Sequence, residues 1–278
     1  MPPTVIRYTR TSPAASGVKL TGQLFGAFPE TDPERGNASE KSRFEAKARP
    51  ANGTADELFA NISIQSIVPS AVIYDLGIGN IDWPGESAGR EAYKVANDEE
   101  FATGNVGAGT GATAGSGASG TKSGLGAASV QVGELRVSAI VVANPMGSIL
   151  SADGTVLAGQ LHRGNLLAPE DVLTNMVRRP FAENTVIGCV VTNAILDKAN
   201  ATKVAQMSHD GIARAVRPAH TTMDGDTLFC ASLPKCAIDS DINLVGDLAS
   251  VAVAHAIRNG ALTAVPAYGL PSALSLIR

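Results

Sequence analysis

Aromatic residues and long apolar runs are scarce in this chain. Its 278 residues include only 7 Phe, 4 Tyr and 1 Trp, beside 29 glycines and a hydrophobic share of 44%. A core must therefore be built from small aliphatic side chains, with backbone segments that approach one another closely. No run reaches the ~20 apolar residues of a membrane span, and residues 1–4 carry no basic start of a signal peptide. These absences predict a protein without membrane association, located in the cytoplasm.

An excess of positive charge and a regular set of cysteines are missing as well. The formal net charge is -4 and the lysines and arginines are scattered, which excludes the basic stripe that binds nucleic acid. Cys189, Cys230 and Cys236 have no metal-type spacing, and the first two lie in apolar runs. We expect reduced cysteines rather than a metal site.

The chain changes character near residue 60. Residues 1–60 mix Pro, Gly, Ser, Glu and Arg without a sustained period, which predicts a loop-rich or poorly ordered segment. Residues 61–278 hold the regular patterns. Strands are predicted at 62–76, 130–142, 148–161 with a turn at 152–154, 185–192 and 227–231; helices at 86–96, 169–176, 198–216 after an Asp197 N-cap, and 242–259 before a Gly260 stop. Strands grouped ahead of long helices favour an α+β fold over an alternating parallel sheet.

Glycine is concentrated at residues 104–128, which hold 9 glycines in 25 positions. Such low complexity is typical of a flexible linker, and an ordered loop is the competing interpretation. Residues 115–120 match the G-x-G-x-x-G pattern, but no strand directly precedes them and no amphipathic helix follows. A dinucleotide site is therefore not predicted.

The most informative feature is Asn184-Thr185, followed by an apolar run at 186–191 and, about forty residues on, by Asp224-Gly225-Asp226. A threonine hydroxyl inside a chain is a poor nucleophile. Once the preceding peptide bond is cut, the same residue carries an α-amine with a pKa near ~8, which can act as base for its own hydroxyl. The pattern indicates a protein that cuts itself to make its nucleophile.

Five segments support this interpretation by their order along the chain. They are residues 67–76, 104–115, 141–145, 184–185 and 224–226. In this order the chain resembles the self-processing L-aminopeptidase D-amidase/D-esterase family, which includes the nylon-oligomer hydrolases, from about residue 62 to the C-terminal region. The resemblance implies a four-layer α/β/β/α sandwich of the N-terminal-nucleophile-hydrolase type. It also implies cleavage between Asn184 and Thr185, giving fragments 1–184 and 185–278.

The same resemblance implies roles for individual side chains. They are Thr185 as nucleophile, Asn144 as oxyanion donor, Tyr74 as a hydroxyl near the nucleophile, Asp224 and Asp226 as partners of the new amine, and Lys122 as a cation if residues 116–120 contain a short insertion. All of these except Thr185 have a structural alternative: a strand-ending asparagine, a core tyrosine, an Asp-Gly-Asp turn and an exposed loop lysine. The histidines His209, His220 and His255 are expected to be solvated or capping, since a free amine makes a histidine base unnecessary.

The predicted function is a self-processing amide or peptide hydrolase that needs no metal or organic cofactor. The resemblance implies a small peptide or oligoamide substrate and a homotetramer of processed heterodimers. Threonine together with Asp224-Gly225-Asp226 favours the nylon-oligomer branch, while peptides, β-peptides and D-amino-acid amides stay open. The alternatives are an acyl transferase of the ornithine-acetyltransferase type and a non-catalytic, incomplete member, because residues 1–60 lack the family's glycine-rich pocket segment.

Overall fold

The computed structural model describes residues 70–81, 84–96, 102–115, 117–176, 184–233 and 237–276. The predictions for residues 1–60 and 62–69 and for Cys236 lie outside the described residues. The strands are β1 Thr113–Ala114, β2 Thr121–Lys122, β3 Leu125–Val132, β4 Leu135–Asn144, β5 Ser148–Leu150, β6 Val156–Ala158, β7 Leu161–His162, β8 Asn165–Leu166, β9 Thr185–Thr192, β10 Val216–Arg217 and β11 Thr227–Ser232. The helices are α1 Glu86–Lys94, α2 Pro169–Met176, α3 Lys198–Ala215, α4 Ile242–Thr263 and α5 Ala273–Leu276.

A four-stranded sheet with the order β11-β9-β4-β3 forms the centre of this structure. β4 runs antiparallel to both β3 and β9, whereas β11 runs parallel to β9. Residues of β4 from Ala139 to Asn144 are all buried, as expected for a strand covered on both faces. The register places Asn144, at the end of β4, opposite Thr185, at the start of β9.

Two long helices, α3 and α4, pack against each other and cover one face of the sheet. Each begins at an aspartate N-cap. The predicted cap Asp197 accepts from the Asn200 N–H at 2.7 Å, and Asp241 accepts from two amides of the first turn of α4. Small buried residues such as Gly211 and Ala252 let the helices approach closely. None of the helices in the described ranges has the length and apolar character needed to cross a membrane.

Helix α4 also contacts β3 backbone to backbone. A side chain at Gly260 would lie 2.6 Å from the Gly124 carbonyl oxygen, and one at Gly126 would overlap the Ala256 carbonyl. This corrects the predicted helix stop at Gly260, because the glycine sets the distance between helix and sheet rather than forming a left-handed cap. The helix therefore continues to Thr263.

Two predicted strands also need correction. The strand expected at 130–142 spans a hairpin, and Gly133, with φ +57°, turns the chain between β3 and β4. Residues 70–76 form no strand although they include the apolar run 71–74. Exposure alternates along this run, because Ile73 packs against the sheet while Val72 and Tyr74 are exposed. The turn predicted at 152–154 is confirmed between β5 and β6, where the Asp153 carboxylate accepts from the Thr155 N–H at 3.1 Å.

The glycine-rich segment covers the second face of the sheet. Ala112 and the partly buried Val106 and Ala108 pack on Ile140 and Val142, so the ordered-loop interpretation is correct for the described part. Helices gathered on one face of a mainly antiparallel sheet make the fold α+β, as the sequence predicts. One helix layer and one main sheet of the expected four-layer sandwich lie within the described ranges.

Replacing Gly126 by Ala is expected to lower the free energy of unfolding by at least about 1–3 kcal/mol, because the new methyl would overlap backbone atoms of α4 that cannot rotate away. Denaturant unfolding at equilibrium measures the change. Gly77→Ala is the matched control, since nothing lies within 4 Å of a side chain there, and it should change stability by less than about 0.5 kcal/mol. Equal effects of the two substitutions would contradict the packing role of Gly126.

Candidate active site

Three segments meet at the Asn184-Thr185 peptide bond. Thr185 begins β9 opposite Asn144, and Asn184 forms a parallel bridge with Asp224, in the loop that leads into β11. Asn184 is buried and Thr185 is half-buried. The bond expected to be cut is therefore held between two neighbouring backbone segments.

The carbonyl of that bond has a defined partner. Its oxygen on Asn184 accepts a hydrogen bond from the Gly225 N–H at 3.0 Å. The Asn184 side-chain amide donates to the carbonyls of Asn144 at 3.2 Å and Gly115 at 3.4 Å. A side chain at Gly225 would lie 3.1 Å from Thr185 Oγ1, so the hydroxyl lies beside the glycine whose amide binds the carbonyl. The carbonyl is held by a hydrogen bond, and the hydroxyl lies close to the residue that donates it.

Asn144 contributes a donor without a partner. Its Oδ1 accepts from the Thr113 N–H at 2.9 Å, and because an N–H can only donate, this contact fixes which side-chain atom is the oxygen. The Nδ2 group is buried and has no hydrogen-bond acceptor among the described residues. A buried unpaired donor costs about 1–3 kcal/mol, which makes it available to an oxygen that develops negative charge nearby.

Asp226 binds the backbone of the residue directly after Thr185. Its Oδ1 accepts from the Val186 N–H at 3.0 Å, and its Oδ2 lies 2.8 Å from His220 Nδ1. Burial raises the pKa of the Asp226 carboxyl above its usual range, the Val186 N–H opposes this, and the nearby Asp224 adds to it. Asp226 thus fixes the position of Val186.

Asp224 stabilises the turn that carries Gly225 and Asp226. Its Oδ2 accepts from the Thr221 N–H at 3.1 Å and the Thr221 hydroxyl at 2.7 Å, and its Oδ1 accepts from the Met146 N–H at 3.4 Å. The predicted Asp-Gly-Asp pair is therefore brought to Thr185. In the uncut chain, however, the hydrogen bonds of both carboxylates within the described residues go to neighbouring groups rather than to Thr185 itself. The turn interpretation is therefore correct, and the role of the two carboxylates at Thr185 stays a prediction.

Lys122 lies inside the protein rather than on an exposed loop, so the loop alternative is wrong. Its Nζ donates to the Thr110 carbonyl at 2.8 Å and the Ala112 carbonyl at 2.6 Å. Burial lowers the pKa of Lys122 to about 8, and the carboxylate of Asp75 partly opposes the shift. Thr113, which follows Ala112 in the chain, donates its N–H to Asn144 Oδ1. Lys122 therefore orders the segment that positions Asn144, without a recorded contact to Thr185.

Tyr74 is not joined to these residues. Its side chain is 53% exposed, which makes the core-aromatic alternative wrong, and it has no hydrogen bond within the described residues. Its segment, 70–81, lacks a strand partner in the described ranges, so no strand pairing directs the ring toward Thr185. The role that the resemblance implies for Tyr74 stays a prediction.

His220 is the site residue that sequence reasoning set aside. Its ring contacts Asp226, and its backbone has φ +55°, a value that is uncommon for residues other than glycine. Its place six residues before Asp226 was the available signal, but a solvated histidine was the commoner alternative. Among the residues that the structure describes, no group of three His, Cys, Asp or Glu side chains could hold a metal ion.

Known proteins include relatives of this chain. A model of peptidase family S58 matches residues 46–272. The chain is 36% identical over 181 residues to a 6-aminohexanoate-oligomer endohydrolase of Agromyces sp. (strain KY5R), covering 60% of this chain and 50% of that protein. It is 37% identical over 216 residues to an uncharacterized aminopeptidase of Mycobacterium leprae (strain TN), covering 72% and 57%. The chain spans about half the length of the curated relatives it matches.

Solved structures show a similar fold. A β-aminopeptidase of Burkholderia sp. aligns with a TM-score of 0.52 and 21% identity over 74% of this chain and 60% of that one. A protein from Pyrococcus horikoshii OT3 aligns with a TM-score of 0.54 and 21% identity over 80% and 65%. At this identity the likeness concerns the fold alone, and it supports the α+β class.

The burial of Lys122 predicts a specific pH dependence of stability. Its pKa is about 8 when folded and 10.5 by the ordinary value, so between these pH values the unfolded chain binds a proton that the folded chain lacks. The stability of the chain relative to Lys122→Met should therefore rise by on the order of 3 kcal/mol as pH increases across this window. Urea unfolding of both proteins in a Thr185→Ala background, which keeps the chain in one piece, measures it.

Lys94→Met serves as the control, because the Lys94 side chain is 71% exposed. Its stability should follow that of the parent at every pH. If Lys122→Met also gave a curve parallel to the parent between pH 8 and pH 10.5, Lys122 would not be the depressed, buried amine that the structure shows.

Proposed function

We propose that this chain, which belongs to peptidase family S58, is an amide hydrolase that makes its own N-terminal threonine nucleophile. The observation that carries the proposal is the arrangement of the carbonyl and the hydroxyl on either side of the Asn184-Thr185 peptide bond. Its carbonyl accepts from the Gly225 N–H while Thr185 Oγ1 lies beside that glycine. A polarised carbonyl with a hydroxyl close by is what an intramolecular acyl shift requires.

Self-cleavage then proceeds in two steps. Thr185 Oγ1 attacks the Asn184 carbonyl carbon and loses its proton, the carbon–nitrogen bond breaks, and the proton ends on the Thr185 nitrogen, which becomes an amine. The product is an ester between Asn184 and the Thr185 oxygen. One water molecule hydrolyses the ester, which leaves a carboxylate on Asn184 and restores the threonine hydroxyl. The chain is then divided into residues 1–184 and 185–278.

The new amine supports turnover on a second amide. It accepts the proton of the Thr185 hydroxyl as Oγ1 attacks the substrate carbonyl, and it returns that proton to the leaving amine. The acyl group stays on Oγ1 until water repeats the attack. The product acid leaves and the hydroxyl and amine are regenerated. No group outside the chain is required for the proton transfers.

The remaining residues are proposed to assist in distinct ways. The unpaired Nδ2 of Asn144 is the proposed oxyanion donor, with the advantage that it has no acceptor among the described residues. Asp226 aligns the start of β9 through the Val186 N–H, and Asp224 holds the turn that carries Gly225. Lys122 acts on the oxyanion site through the backbone it orders, and Tyr74 is kept as a second donor on the family resemblance alone.

The proposed substrates are short peptides or oligoamides. The relatives named above are an oligoamide endohydrolase and an aminopeptidase, and the chain shares the threonine and the Asp224-Gly225-Asp226 turn that favour the oligoamide branch. The assembly into a homotetramer of processed heterodimers and the cytoplasmic location stay predictions.

Self-cleavage is the first test of this function. Purified parent chain should appear by intact mass as two fragments, residues 1–184 and 185–278. Thr185→Ala should remain a single chain because it lacks the attacking oxygen. Thr185→Ser keeps the hydroxyl and should still cut. A parent chain that is folded by circular dichroism and yet uncut would contradict the proposal.

Asn144→Ala tests the oxyanion donor. Removing one such donor typically slows the chemical step about 10²–10³-fold, so self-cleavage and oligoamide hydrolysis should both slow by that order, as followed by mass spectrometry over time. Asn243→Ala, at an exposed position in the first turn of α4, is the control and should match the parent. A rate for Asn144→Ala within twofold of the parent would remove Asn144 from the mechanism.

A further inference from the structure

We infer that His220 is a positioning residue of this site, which holds Asp226 in place and through it the backbone that presents Thr185. The inference rests on the proposed function, since it concerns the same nucleophile. His220 touches none of the reacting atoms. Its effect must pass along a line of contacts from α3 to the start of β9.

Both ring nitrogens of His220 face oxygen atoms. Nε2 lies 3.2 Å from the His209 carbonyl oxygen and Nδ1 lies 2.8 Å from Asp226 Oδ2. A carbonyl oxygen only accepts, so Nε2 carries a hydrogen. Nδ1 and the carboxylate then share one proton, whichever of the two atoms carries it. The ring thus joins helix α3 to Asp226 by two directed bonds.

The far oxygen of Asp226 completes the line. Oδ1 accepts from the Val186 N–H at 3.0 Å, and Val186 is joined directly to Thr185. Both oxygens of the carboxylate are therefore occupied, one by the histidine and one by the strand. If the histidine contact is lost, the carboxylate is free to rotate, and the Val186 N–H loses its fixed partner.

The burial of Asp226 makes its contact with His220 important. Exposed ion pairs contribute about 0–1 kcal/mol, and the His220 side chain is 38% exposed, but that of Asp226 is only 6% exposed. A buried carboxylate with the charge of Asp224 nearby depends on its partners to stay oriented. The backbone of His220, at φ +55°, is itself in a conformation that must be held by its surroundings.

Because His220 has a positive φ, its side chain can be removed by substitution with glycine without straining the backbone. His220→Gly removes the ring and relieves the backbone, because glycine adopts φ near +55° without strain. We expect self-cleavage of freshly synthesised chain to slow roughly tenfold to a hundredfold, the cost of a small misplacement of a nucleophile. Added imidazole should restore much of the rate, since the site of the ring is open to solvent. Imidazole should not change the rate of the parent or of His162→Asn, an exposed histidine in β7.

Two further variants separate the contacts of the ring. Asn at position 220 places an amide near the position of Nδ1 and can donate to Asp226, whereas Gln places one near Nε2 and can reach only the His209 carbonyl. His220→Asn should therefore keep at least several times the rate of His220→Gln, which should resemble His220→Gly. Thermal unfolding of each variant by circular dichroism records whether the fold is intact, and the Asn and Gln pair decides if the glycine variant does not fold.

The possible outcomes distinguish the role of His220 from the proposed function on which it rests. If the parent cuts and His220→Gly cuts equally fast, the role of His220 is overturned while the proposed function stands. If the variant is slow, imidazole has no effect and Asn is no better than Gln, His220 is a structural residue and the inference is also overturned. If the folded parent stays uncut, the proposed function fails and the role of His220 fails with it.

Discussion

The backbone ladder of β9 is the constraint on which the site depends. On one side β4 brings Asn144 opposite Thr185, and on the other the Gly225 N–H binds the Asn184 carbonyl in continuation of the parallel pairing with β11. A peptide bond at the end of a central strand has little freedom, because its neighbours are fixed by many bonds further along. The precision of the site therefore comes from the sheet, and the side chains act on a group that is already oriented.

The glycine-rich segment provides the second half of this arrangement. It covers the sheet closely enough for the Thr113 N–H to reach Asn144, and a buried ammonium or amine at Lys122 ties its carbonyls together. A neutral amine still has two N–H groups, enough for both carbonyls, so the bonds do not require the charge. The Nδ2 of Asn144, which has no acceptor among the described residues, lowers the stability of the fold. Such a cost is expected if Asn144 is the oxyanion donor of the proposed mechanism.

Sequence patterns correctly predicted the features that depend on residues close together in the chain. They missed the features that depend on packing between distant segments. The strand 185–192 is found with its predicted bounds because a β-branched run ends at polar residues, and Asp197 caps α3 because its carboxylate needs only the amides of the next turn. Gly260 was wrongly predicted to end a helix because sequence does not show that β3 lies against it. Lys122 and His220 were undecided or set aside for the same reason: burial and partners far along the chain determine their state.

In the proposed mechanism, the cut changes the electrostatics of its own site. Before cleavage the nitrogen of Thr185 is a neutral amide, and burial together with Asp224 disfavours a charge on Asp226. After cleavage a titratable amine lies one residue from the Val186 N–H that Asp226 binds. A cation there favours the ionised form of Asp226, and that anion in turn raises the pKa of the amine. The amine and Asp226 therefore titrate together, so this carboxylate influences when the amine is free to act as base.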